Sequence, residues 1–135
     1  MASLANVIFC MQAETVPSGN VNAMNVMSTL SPEYIPGLFT FSIIISILGI
    51  KKEEGHTFSV FLIDPNGTRI VEIKEEKLPV IDDVSNIPDE YKGINISMSL
   101  NNVNFRVSGE YSMEIFYDNE KLGERRIYVK GKNEP

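Results

Sequence analysis

Between Pro36 and Ile50 the chain reads PGLFTFSIIISILGI, fifteen residues without a charge, followed at once by Lys51, Lys52, Glu53 and Glu54. What this run becomes limits everything else the chain can fold into. As a helix at ~1.5 Å per residue it falls short of a ~30 Å hydrocarbon core. Ser42, Ser46 and Gly49, at i, i+4 and i+7, do form the kind of small-residue stripe that packs membrane helices. The alternation is the stronger pattern. Phe39, Phe41, Ile43, Ile45 and Ile47 fall on one face, and Thr40, Ser42, Ile44, Ser46 and Leu48 on the other. A period of two with β-branched and aromatic side chains is the signature of a strand. The run is predicted to be the central strand of a sheet. At ~3.3 Å per residue, residues 38–50 would extend past about 40 Å, so a bend, bulge or change of sheet is expected at 46–49.

The remaining residues extend this reading. Residues 6–13 (NVIFCMQA) form a short apolar strand, residues 15–20 (TVPSGN) a turn, and residues 20–30 a weaker strand rich in asparagine. Ser31 and Pro32 are placed to open a single helical turn before Pro36. Phe58, Val60 and Leu62 alternate with Ser59, Phe61 and Ile63 up to Asp64-Pro65-Asn66-Gly67, which has the residues of a hairpin turn. The return strand ends in charge at Lys74, Glu75, Glu76 and Lys77, as a protected edge does. Residues 78–93 are the longest irregular stretch.

In GINISMSLNNVNFRV the apolar positions are Ile94, Ile96, Met98 and Leu100, then Val103, Phe105 and Val107. The phase changes from even to odd, so a bulge or bend belongs at Asn101 and Asn102. A second hairpin follows, with Tyr111, Met113, Ile115 and Tyr117 on one face and a turn at 118–121. Seven or eight short strands with almost no helical period predict an all-β antiparallel sandwich, with at most one or two short helical turns. One domain over residues 1–135 is expected, its core within 6–130.

Three motifs in order carry a family resemblance: SGNVNAMNVMS, FLIDPNGTRI and SGEYSMEIFYDNEKLGE. The chain resembles a family of small bacterial and prophage-associated β-sandwich proteins of unknown function. That resemblance implies an immunoglobulin-like sandwich and supports a strand at 20–28. It implies no reaction and no catalytic residues.

Charge and composition narrow the function. A net charge of −6 and a single cysteine, Cys10, are set against no basic stripe, so a nucleic-acid partner is not expected. The first residues lack the basic start of a secretory leader, and the expected location is the cytoplasm. His56, the only histidine, has no acid, serine or cysteine at a telling spacing and reads as a solvent-exposed turn residue. One cysteine and one histidine do not make a usual zinc site, and no phosphate loop or nucleophile elbow is present. Asp64, Asp82, Asp83, Asp118 and Glu120 fall in expected loops without calcium-loop spacing, and turn formation accounts for them. No cofactor is expected.

The aromatics Tyr34, Phe61, Tyr91, Phe116, Tyr117 and Tyr128 could form a sugar platform, but nothing clusters them in sequence. The expectation is a non-enzymatic cytosolic module that binds another protein or itself. Thr40, Ser42, Ile44 and Ser46, with Phe61 and Ile63, are its candidate contact residues. The alternative is a small-ligand or carbohydrate binder using the 78–93 loop. A hydrolase-type enzyme is the remote third reading.

Overall fold

The computed structural model describes residues 2–50, 55–78 and 87–134. Among these, nine strands make two sheets: β1 (Ser3–Thr15), β2 (Val21–Met27), β3 (Thr29–Leu30), β4 (Gly37–Leu48), β5 (Thr57–Ile63), β6 (Arg69–Lys77), β7 (Gly93–Phe105), β8 (Gly109–Tyr117) and β9 (Glu120–Val129). The four-stranded sheet has the order β2-β1-β4-β7 and the five-stranded sheet β3-β9-β8-β5-β6. All pairings are antiparallel except β3 with β9. This is the predicted sandwich, with nine strands in place of seven or eight.

The central strand falls where the alternation puts it. β4 lies between β1 and β7, with Phe41, Ile43, Ile45 and Ile47 fully buried. They meet Phe58, Val60, Leu62, Tyr111, Met113 and Ile115 of the other sheet in one contiguous core. Rings of Phe9, Phe39, Phe105 and Tyr111 gather round Phe41, centroids 5.3–6.4 Å apart along the chain of contacts. Tyr111 donates its hydroxyl to the Val107 carbonyl at 2.7 Å, satisfying a buried polar group in the manner of the tyrosine corner of immunoglobulin-like sandwiches.

The phase change in β7 is a bulge. Phe39 pairs with Val103 and Phe41 with Leu100, so Asn101 and Asn102 together oppose Thr40. Asn102 takes a left-handed conformation (φ 52°), which asparagine tolerates better than most residues, and its N–H donates to Thr40 Oγ1 at 2.9 Å. β4 itself has no bulge at 46–49: its register with β7 is unbroken from Phe41 to Leu48, and Gly49 (φ 75°) ends it. The irregularities lie in its neighbours instead, at Asn101 and Asn102 in β7 and at Ala5 in β1.

The helical turn expected after Ser31 is also absent. Leu30 and Pro32 accept backbone hydrogen bonds from Lys130 and Lys132, so the end of the chain satisfies this segment. The described residues hold one 3-10 turn, Asp89–Tyr91. Asp64 Oδ1 accepts from the N–H groups of Asn66 and Thr68, and Gly67 (φ 84°) fills the left-handed position, as the turn chemistry predicts. Half of the irregular 78–93 stretch, residues 79–86 with Asp82 and Asp83, lies outside the described residues.

Candidate functional site

The residues singled out from sequence do not form one open surface. Thr40, Ser42, Ile44 and Ser46 do point away from the core, but Ser42 is 4% exposed and Ile44 5%. The chain covers them itself. Pairing of β1 with β4 stops at Cys10 and Ser42, whereas β1 and β2 stay paired out to Thr15 and Val21. The free end of this ribbon returns across the outer face, where the Thr15 and Ser97 hydroxyls share a hydrogen bond at 3.0 Å. Ser97 lies two strands away from β1 within the sheet, so the contact requires the ribbon to fold over.

Cys10 and Ile44 are buried beneath that cover yet lie outside the contiguous core. Burial pushes the Cys10 thiol above its usual range, partly offset by a hydrogen bond with the Gln12 backbone. It is a shielded small hydrophobe. Ser42 and Ser99 hydroxyls share a hydrogen bond at 3.3 Å, and Ser46 donates to Asn95 Oδ1 at 2.6 Å. Thr40 alone of the four is exposed.

Phe61 and Ile63 lie on the outer face of the five-stranded sheet, on the opposite side of the molecule. Phe61 is buried under the Arg69 guanidinium, 4.0 Å above its ring, and edge-on to Phe116 at 5.5 Å. A shallow depression of about 310 Å³ lies here, lined by Ser59, Lys74, Glu75 and Asn119 besides these three. Of the six aromatics weighed as a sugar platform, Phe61 and Phe116 meet, and Arg69 caps the Phe61 ring.

His56 differs from its expectation. It is half-buried rather than solvent-exposed, and Nδ1 lies 2.5 Å from Asp118 Oδ2. Sixty-two residues separate the two, so no local spacing reveals the pair. Asp118 and Asn119, with φ of 49° and 66°, make a tight two-residue turn between β8 and β9. Asp118 also exchanges hydrogen bonds with the Thr57 backbone: its N–H donates to the Thr57 carbonyl, and its Oδ1 accepts from the Thr57 N–H, each at 2.9 Å. The imidazole stacks on Tyr117 with centroids 5.3 Å apart. His56, Tyr117 and Asp118 line a pocket of about 350 Å³ together with Ser3, Glu120 and Lys121.

The other ring nitrogen, Nε2, is shut off from solvent and has no hydrogen-bond partner among the described residues. A general base must reach a proton in a bound substrate. Nδ1 is held by Asp118, and the pair ties the start of β5 to the β8–β9 turn. Asp64 and Asp118 use carboxylate oxygens on backbone N–H groups, as turn formers do. Among the described residues no three His, Cys, Asp or Glu side chains converge as a metal cage. No helix among them is long and apolar enough to cross a membrane.

Among the described residues, no further strand pairs with the two edges of the four-stranded sheet. β2 (VNAMNVM) and β7 (GINISMSLNNVNF) are its outer strands, and neither contains a charged residue or a proline. In the five-stranded sheet the edge strand β6 (RIVEIKEEK) is dense in charge, and the other edge, β3, is two residues long. Sequence reading found the protected edge at β6. The charge-free strands were visible as well, but their position at an edge depends on strand order, which no local pattern encodes.

Comparison with known proteins agrees with this architecture. An immunoglobulin-like protein from Pseudomonas aeruginosa superposes with a TM-score of 0.52 at 14% identity, covering 96% of this chain and 97% of that one. The alkylpurine DNA glycosylase AlkC of Pseudomonas fluorescens, solved bound to DNA containing an abasic site analog, superposes with a TM-score of 0.53 at 6% identity. That match covers 96% of this chain but 30% of the glycosylase, and at such identities both likenesses show the fold alone. Among curated proteins none matches. Residues 6–130 match a family of unknown function, DUF6941, and this immunoglobulin-like sandwich is therefore a member of that family.

Proposed function

We propose that the protein is a non-enzymatic interaction module that makes its contacts through the edges of the four-stranded sheet. The observation carrying this reading is the absence of charge and proline from β2 and β7. An edge strand presents a row of unpaired N–H and C=O groups, and proteins that must stay apart blunt such edges with lysine, proline or very short strands. β6 and β3 follow that rule and the edges of the four-stranded sheet do not. Main-chain pairing with an added strand is an established mode of recognition, with side-chain fit setting specificity. Val26 and Met24, exposed on β2, add apolar contact to one of the two edges.

The reading includes a cytoplasmic location and a bacterial, prophage-associated origin, the latter resting on the motif resemblance. Genes for phage assembly or defence beside this one would support that origin; metabolic or transport genes would favour the ligand-binding alternative. An acidic chain is poorly suited to phosphate backbones, so nucleic acid is not among the partners proposed.

Light scattering over a range of concentrations, combined with an affinity pulldown, tests the contact role. The variants Val26→Lys and Ser99→Lys place a charge beside each edge at an exposed position. Self-association, or a captured protein lost with either variant, is the expected result. A protein that stays monomeric and captures nothing sensitive to these variants would overturn the reading.

A further inference from the structure

We infer that β7 is a self-pairing edge: two copies of the chain join β7 to β7 antiparallel about a two-fold axis, continuing the four-stranded sheet from one molecule into the next. The inference rests on the reading of these edges as contact surfaces and names the occupant of one of them.

Four features of β7 point to a second copy. It has a regular stretch, from Gly93 to Leu100, that keeps strict register with β4 until the bulge at Asn101 and Asn102. Its inward side chains Ile94, Ile96 and Met98 pack on the core yet stay half-buried, whereas their β4 partners Ile47, Ile45 and Ile43 are fully buried. Among the described residues the apolar interior is therefore incompletely sealed along this edge, as it also is at Ile70, Val71 and Ile73 of β6, where charged neighbours guard the edge.

The third feature is geometric. A two-fold axis perpendicular to a sheet keeps each face continuous, so residues directly opposite must share a face. An axis beside Ser97 uses seven residues of the regular stretch, 94–100, as many as one beside Ile96, and keeps Gly93 out of the contact. Ile94 then opposes Leu100 of the other copy, Ile96 opposes Met98, and Asn95 opposes Ser99. Apolar side chains meet apolar on the core side, and amides meet hydroxyls on the outside. Such a contact is isologous and closes at two copies.

The fourth is charge. Each copy has a net charge of −6, so two copies repel over most of their surfaces. Thirteen consecutive uncharged residues form a boundary along which they can approach without placing like charges opposite one another. The other uncharged edge is less suited to this role. β2 is seven residues long, Asn25 breaks it with a left-handed backbone (φ 57°), and its far end follows the ribbon out of the sheet.

Sedimentation or light scattering of the full chain, with charge-swapped variants, tests the proposal. Asn95 and Ser99 are exposed and would face each other across the axis. Wild type is expected to form a dimer whose fraction rises with concentration. The double variant N95K/S99K and its counterpart N95E/S99E are each expected to dimerise at least about tenfold more weakly. Mixed in equal amounts they are expected to recover a heterodimer. Circular dichroism shows whether each variant is folded, and the single substitutions N95K and N95E serve as the replacement pair should one of them unfold.

A wild type that stays monomeric at millimolar concentration overturns the inference. So does a dimer that survives both charged variants, or a mixture that fails to reassociate. A strictly monomeric chain that still captures a different protein through the same edges would sink self-pairing while leaving the contact role standing. A dimer indifferent to charge on β7 and to Val26→Lys on β2 would sink both.

Discussion

The two sheets of this sandwich solve the problem of having an outside in opposite ways. The five-stranded sheet is finished in charge. Lys121 lies 2.9 Å from Glu114 and 3.6 Å from Glu124, Arg126 lies 3.4 Å from Glu110, and Arg69 lies 3.8 Å from Glu72. Exposed pairs of this kind contribute little stability each, but they leave a face and an edge that repel unwanted strands. The four-stranded sheet has few charges. Part of its outer face is covered by its own β1–β2 ribbon, and its edges are left uncharged. The comparison teaches that an uncharged face can be closed by the chain itself, while an uncharged edge calls for another strand.

Removing the side chain beneath the ribbon breaks the comparison most sharply. Ile44 points outward yet is buried as deeply as a core residue, so Ile44→Ala is expected to cost about 2–4 kcal/mol of unfolding free energy. Ile63→Ala, half-buried on the outer face of the other sheet, is expected to cost less than about 1 kcal/mol. Urea denaturation of the two variants measures the difference, and equal losses would show that the ribbon gives no real cover.

A smaller effect is expected at the β7 bulge. Asn102→Val puts a β-branched residue into a left-handed conformation and should cost about 1–2 kcal/mol, whereas Asn102→Gly should cost little or nothing. A valine as well tolerated as glycine there would contradict the bulge. Smallest is a titration on the charged sheet. Ser112 donates to Glu124 at 2.6 Å, and this bond, with Lys121 beside it, holds the Glu124 carboxyl below its ordinary value of 4.5. A depressed folded value contributes stability above the unfolded value, and that contribution is lost as pH falls through the folded one. Ser112→Ala is expected to move the Glu124 titration upward when followed by NMR; an unchanged midpoint would remove the hydroxyl from the account.

Much of the fold was legible because it is local. The period of two in β4, the turn at Asp64 and Gly67, and the phase change that becomes the Asn101–Asn102 bulge are all written in adjacent residues. The features that decide where contacts can form are not local. Ser42 and Ile44 lie under the ribbon because β1 and β2 outrun β4, a tertiary event that alternation along β4 cannot signal. His56 meets Asp118 because two distant turns share one end of the sandwich. The bulge expected in β4 was displaced for a related reason: a long central strand can stay regular when the strands beside it absorb the mismatch. The helical turn expected after Ser31 gave way to backbone pairing with the end of the chain, which its local sequence does not announce.

The central claim is that contact runs through the uncharged edge of β7 and avoids the charged edge of β6. Amide hydrogen exchange at low and high protein concentration tests it most directly, because it reads both edges in one experiment. Outward-facing amides between Gly93 and Leu100 are expected to gain protection as concentration rises, while those of β6 exchange at an unchanged rate. Protection that appears on β6, or fails to appear on β7, would contradict the account.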